Sequence, residues 1–246
     1  MAGLQFRFAE LVREIKALKA ISRDFIDSST SGVLDEFESN LNFLWSASGT
    51  KHYSLQLRPL KTKLSEGAYD RGRGANIYAA ITGKWDVRPV GYNPRKHQAR
   101  QKRLLEFCGT ASTKIELFDA SCPEQRIAMW RIEVGTEDSP GCYFHIQILG
   151  DKEDPPFPKA IPIPRLPSIF ITPMCAIEYV LGELFQDQWA KAVARDSGDL
   201  PYWRDLQRKR LLLLFDWYRQ VLNQAISSAW MALKTAKPEP AIFVSD

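Results

Sequence analysis

The hydrophobic period of this chain changes at about residue 50 and again after residue 167, and this block structure restricts the architecture more than any single motif. In the first block Leu4, Phe8, Leu11, Val12, Ile15, Leu18 and Ile21 recur at spacings of three and four, which predicts a helix from Leu4 to Ile26. Leu34, Phe37, Leu41 and Leu44 predict a second helix, with the cluster Ser28 to Ser31 offering its N-cap. From Tyr53 the period becomes two, through Leu55 and Leu57, then Ile77, Ala79 and Ile81, then Trp85 and Val87. Further strands are expected at Leu105 to Phe118, Arg126 to Val134 and Tyr143 to Leu149. The last two are joined by a Gly- and Pro-containing turn, the composition of a hairpin.

Asp151 to Pro167 holds six prolines and three acids, so it cannot pair as a central strand and reads as an extended surface connection. Thr172-Pro173 then has the form of a helix start, a capping hydroxyl followed by proline at the first helical position. A last apolar stripe from Pro201 to Leu233 is longer than a compact domain needs, which predicts a break or a protruding end. Helices, then strands, then helices describe an α+β fold: an antiparallel sheet with two N-terminal helices and two long C-terminal helices packed on it. The expected layout is one domain over residues 1–236, with a helical lead (1–50), a sheet (51–150), a helical part (168–235) and a flexible tail (237–246).

Net charge is only +4, but residues 51–103 carry thirteen Lys/Arg against Glu66, Asp70 and Asp86. That segment is +10, which leaves −6 on the rest. Such asymmetry points to an anionic polymer as partner, and RNA or DNA is the expectation. The candidate contacts are Arg71, Arg73, Lys84, Arg88, Arg95, Lys96, Arg100, Lys102 and Arg103, with Tyr69 and Tyr92 available for base stacking. The alternative is a solvated sheet edge whose lysines discourage aggregation.

Two further features carry chemistry. In Tyr143-Phe144-His145-Ile146-Gln147-Ile148 alternation puts Tyr143, His145 and Gln147 on one face, where His145 is either a general acid or base or a satisfied structural histidine. The prolines around Arg165 restrict its backbone and aim its guanidinium, as a phosphate clamp or as an internal partner of Glu178 or Glu183. A metal-independent ribonuclease using His145, Gln147 and Arg165 is therefore an alternative to a binding protein. Glu116, Asp119 and Glu133 lack the neighbouring lysine of a restriction-type nuclease and read as strand-end solvation.

The function classes with strong signatures are not indicated. There is no G-x-x-x-x-G-K-[ST] loop, no G-x-G-x-x-G fingerprint and no clustered zinc-ligand spacing, so no cofactor or metal is expected. Cys108, Cys122, Cys142 and Cys175 form no C-x-x-C pair and read as reduced, mostly buried thiols. With no secretory signal and no long apolar run, the expected location is the cytoplasm, away from membranes. The apolar segment Leu211 to Trp217 is either buried on several sides or contacts a partner subunit or a second copy.

Phe144-His145-Ile146-Gln147, Pro164-Arg165-Leu166-Pro167 and Thr172-Pro173 opening a helix with Leu181-Gly182-Glu183-Leu184-Phe185 resemble the layout of small bacterial families, some associated with toxin-antitoxin or phage-defence loci. Where those families tend to have a second histidine, this chain has Gln147. The resemblance implies an accessory role in such a system.

Overall fold

The computed structural model describes residues 3–46, 51–65, 76–90, 103–136, 138, 141–149 and 165–244. In chain order these form β1 (Gln5–Arg7), α1 (Phe8–Ser22), α2 (Val33–Ser46), β2 (Tyr53–Lys61), β3 (Ile77–Val90), β4 (Leu104–Asp119), β5 (Cys122–Val134), β6 (Phe144–Leu149), β7 (Arg165–Pro167), α3 (Pro173–Val193), α4 (Leu200–Asn223) and α5 (Ala229–Thr235). The strands pair antiparallel in the order β2-β3-β4-β5-β6-β7, with β1 beside β4. The expected α+β architecture is the one observed, and the β5-β6 hairpin pairs Val134 with Phe144 and Met129 with Leu149.

One face of the sheet carries Leu55, Leu57, Ala79, Ile81, Trp85, Val87, Ala111, Ile115, Ile132, Val134 and Phe144, all buried. Helix α2 packs on β2, and α3 packs on β3 and β4. Helix α1 lies against α2, α3 and α4, so it sits in the middle of the helical layer. Aromatic contacts join the layers and the helices: Phe37 of α2 meets Trp85 of β3 edge-on at 4.6 Å, and within the helical layer Phe25, just after α1, meets Phe185 of α3 at 4.9 Å.

Three departures from the sequence reading have physical causes. Residues 5–7 are a strand rather than the first turn of a helix, because β5 joins β4 only at Ala111 and leaves the edge at Leu104 to Glu106 open. Leu4, Phe6 and Phe8 are all buried, a period-two alternation that the overlapping helical stripe hides. The Ser/Thr cluster forms a separate 3-10 turn at Ser28–Thr30, whose cap is the Asp27 side chain, and α2 starts three residues later. As far as Val244 the expected flexible tail instead packs back. Phe243 is 2% exposed and stacks on Phe6 at 5.6 Å, while the Pro240 carbonyl accepts from the Gln5 amide at 2.7 Å. Prolines bar regular structure there, but not burial of an aromatic anchor.

The C-terminal elements follow the capping signals. Thr172 accepts from the Cys175 amide with Pro173 at the first helical position, and the long apolar stripe breaks after Asn223, with Ser228 capping α5. The connection after β6 re-enters the described residues as β7, an edge strand, where a proline is tolerated.

Inside the helical layer Glu14 of α1 is fully buried, and its Oε2 accepts from Arg210 of α4 at 2.7 Å. Thr172 at the start of α3 donates to Glu14 Oε1 at 2.8 Å, and Arg210 also reaches Glu10 at 3.3 Å. Removing one member leaves an uncompensated charge, so Arg210→Ala should cost about 3–5 kcal/mol in chemical denaturation. The double variant Glu14→Leu/Arg210→Met should recover most of that loss.

Candidate functional site

The outer face of the sheet, opposite the helices, is where register assembles polar chemistry. One row crosses the strands as Gln56, Lys84, Ser112, Glu133, His145 and Pro167, each paired with the next. The adjacent row runs Thr82, Lys114, Arg131, Gln147 and Arg165. Side chains on one strand alternate, so both rows share this face. Two residue pairs beyond Thr82 and Lys114, Tyr78 and Phe118 stack at 5.2 Å on the same side. A concavity of about 560 Å³ lies over the rows, lined among others by Arg58, Lys84, Lys114, Arg131 and Glu133.

Lys114 and Arg131 stand directly opposite each other, an arrangement that like charges disfavour. Acids along their own strands offset it: Lys114 bonds Glu116 at 2.7 Å, Arg131 meets Glu133 at 3.5 Å, and Lys84 meets Asp86 at 3.4 Å. Glu116, read from sequence as lacking a lysine neighbour, has Lys114 two residues before it on the same face, and also bonds Arg126 at 2.8 Å. Burial pushes the Glu116 carboxyl up, but its two cationic partners outweigh that and hold it below its ordinary value.

His145 occupies the same face but is only 2% exposed. Its Nδ1 lies 2.8 Å from the Cys142 carbonyl oxygen, which requires a proton on Nδ1. Its Nε2 lies 3.0 Å from Glu133 Oε2, a contact that is a hydrogen bond only while a second proton sits between them. Gln147 Nε2 is 3.4 Å from the same ring nitrogen. Both ring nitrogens are thus committed to protein partners. Burial raises the Glu133 carboxyl, yet the hydrogen bond and charge of His145, with Arg131, bring it below its ordinary value.

Arg165 pairs with Gln147, and its stem lies against Gly141, where a Cβ would stand 2.6 Å from Arg165 Cδ. Its Nε is buried without a hydrogen-bond partner among the described residues. Glu178, one of the acids offered as its partner, instead bonds Gln207.

Of the basic residues chosen from sequence, Lys84 lies openly on this face. Arg88 bonds the buried Glu106 at 2.7 Å, so its charge is spent internally. Arg103 corrects the expectation of a basic contact: it is 5% exposed, and its carbonyl accepts from the Phe8 amide where β1 meets α1. Arg71, Arg73, Arg95, Lys96, Arg100 and Lys102, like Tyr69 and Tyr92, lie outside the described residues. The cations missed as site residues are Arg58, Lys114 and Arg131; the even-numbered alternation of Ser112, Lys114 and Glu116 was the available signal.

Cys122 is exposed rather than buried, while burial raises the Cys108 and Cys142 thiols. Among the described residues no three His, Cys, Asp or Glu side chains cluster as metal ligands, and no helix is long and apolar enough to cross a membrane. No family model, curated protein or solved structure matches the chain.

The lowered Glu133 carboxyl sets a pH window. Its contribution to stability is present above its ordinary value of 4.5 and is lost as pH falls through the lower folded value. Glu133→Gln should therefore be less stable than the parent by about 1–2 kcal/mol at pH 7. In urea titrations from pH 7 to pH 3 that difference should shrink below pH 4.5.

Proposed function

We propose that this protein binds single-stranded nucleic acid on the outer face of its sheet, as an accessory component without a catalytic cycle of its own. The observation that carries the reading is the facing pair Lys114 and Arg131, flanked by Arg58 and Lys84 around one concavity. The acidic partners of Lys84, Lys114 and Arg131 lie on the same strands and that of Arg58 is Glu36 of α2, all partly exposed, so phosphates can take over these cations at low cost. Gln147 and Arg165 extend the row by two strands, and the stacked Tyr78 and Phe118 offer a platform for bases. The segments 66–75 and 91–102 add Arg71, Arg73, Arg95, Lys96, Arg100 and Lys102 to the available charge.

The ribonuclease alternative would need His145 to reach a substrate, and its burial between Cys142 and Glu133 favours an orienting role instead. Membership of a defence or toxin-antitoxin system is proposed on the motif resemblance alone. A protein-docking role for the C-terminal helices has its own support in Leu212, Phe215, Ile226 and Trp230, all exposed. A mass measurement in solution would detect self-association through them.

In fluorescence anisotropy with single-stranded RNA and DNA, Lys114→Glu/Arg131→Glu should weaken binding at least about tenfold at low salt. The slope of log affinity against log salt should fall by about 1–2, uniformly across sequences. Unchanged affinity would remove the proposal. RNA incubated with the protein in EDTA should stay intact, and cleavage that His145→Ala abolishes would favour the enzyme.

A further inference from the structure

A second cavity lies in the helical layer, away from the sheet's outer face. It has a volume of about 540 Å³ and is formed by α3, the segment before it and α4. Phe170, Tyr179, Trp189 and Leu211 give it apolar walls, and the rings of Phe170 and Tyr179 meet at 4.7 Å. Glu178, Glu183, Gln186 and Gln207 supply polar groups, and none of its lining residues is basic. Beside it α3 is kinked at Gln186, whose φ of 36° is a left-handed conformation costly for a side chain of this kind.

Glu178 is the unusual member. Other buried or largely buried carboxylates each bond a cationic or ionisable base: Glu14 has Arg210, Glu106 has Arg88, Glu116 has Lys114 and Arg126, and Glu133 has His145. Glu178 bonds only the amide of Gln207 among the described residues. A carboxylate in such surroundings lacks a counter-charge, and aromatic faces attract cations.

We propose that this cavity binds a small organic cation, a protonated amine carried on an apolar body, with Glu178 as its counter-ion and the aromatic walls holding the body. The site is independent of the nucleic-acid reading. Burial pushes the Glu178 carboxyl up to about 7, Gln207 opposing and the negative charge of Glu14 adding. The groups around Glu178 are Gln207 on α4, Glu14 on α1 and the thiol of Cys175 on α3, with Glu183 of α3 on the same cavity and Arg210 engaged by Glu14 and Glu10; that thiol, pushed up to about 12, stays protonated throughout. A cation therefore displaces the Glu178 proton, and affinity must rise with pH while the amine stays charged.

The test is calorimetric titration of the full chain with 2-phenylethylamine and with its uncharged isostere 2-phenylethanol. The amine should bind at one site, and its affinity should rise about tenfold from pH 6 to pH 8. The alcohol should bind more weakly and without that rise. Glu178→Gln, which retains an amide partner for Gln207, should lose both the preference for the amine and the pH dependence. Ala190→Trp, an exposed position at the mouth, should block both ligands without touching the carboxyl. Equal affinity for amine and alcohol at pH 8, no binding of either, or amine binding that survives Glu178→Gln unchanged would each overturn the proposal.

Discussion

The buried contact between Glu14 and Arg210 is the constraint around which the helical layer is arranged. It joins residues 196 positions apart, and Thr172 adds the start of α3 to the same carboxylate. Three helices from opposite ends of the chain are therefore placed by one charge, which must stay satisfied wherever it is desolvated. Arg210 also lies over the Phe6 ring at 5.2 Å, so the guanidinium touches β1 as well as α1. Phe6 in turn packs on Phe107 of β4 and on Phe243 of the C-terminal segment. The short strand β1, the third helix and the chain end thus converge on one polar contact and the aromatic cluster beside it. A buried ion pair adds little net stability over a well-packed apolar replacement, but once present this one restricts how α1, α3 and α4 can meet.

The elements that sequence periodicity identified correctly share a property: their signal was local. The β5-β6 hairpin, the Thr172-Pro173 cap and the break in the last helical stripe each depend on residues close together in the chain. The ones it missed depend on distant partners. Residues 5–7 become a strand because β4 leaves an edge free, and the tail packs because Phe6 and Phe144 offer a place for Phe243. The same distinction governs the candidate site. Alternation puts His145 and Gln147 on one face from sequence alone, but the pairing of His145 with Glu133 requires the register of β5 against β6. A count of charge in residues 51–103 could not separate Lys84, which is open, from Arg88 and Arg103, which serve the interior. Nor could it include Lys114 and Arg131, which lie outside that window.

The outer face is neither a uniformly basic surface nor a neutral one. Lys84, Lys114 and Arg131 are each provided with an acid on the same strand, while Arg58 pairs with Glu36 of α2, a pattern that reconciles Lys114 opposite Arg131 with a stable sheet. Half-exposed ion pairs of this kind contribute on the order of 1 kcal/mol each. A phosphate that draws Lys114 or Arg131 away from its carboxylate therefore forfeits little protein stability, while counterion release still favours association. Glu133 is the exception in this lattice, because on its buried side it has a second partner, His145, which bonds it whenever Nε2 carries a proton. Arg131 can then turn towards an anion without leaving Glu133 unsatisfied. In the proposed binding mode His145 would support the surface from beneath, a physical role for a histidine that sequence reading placed among catalytic candidates.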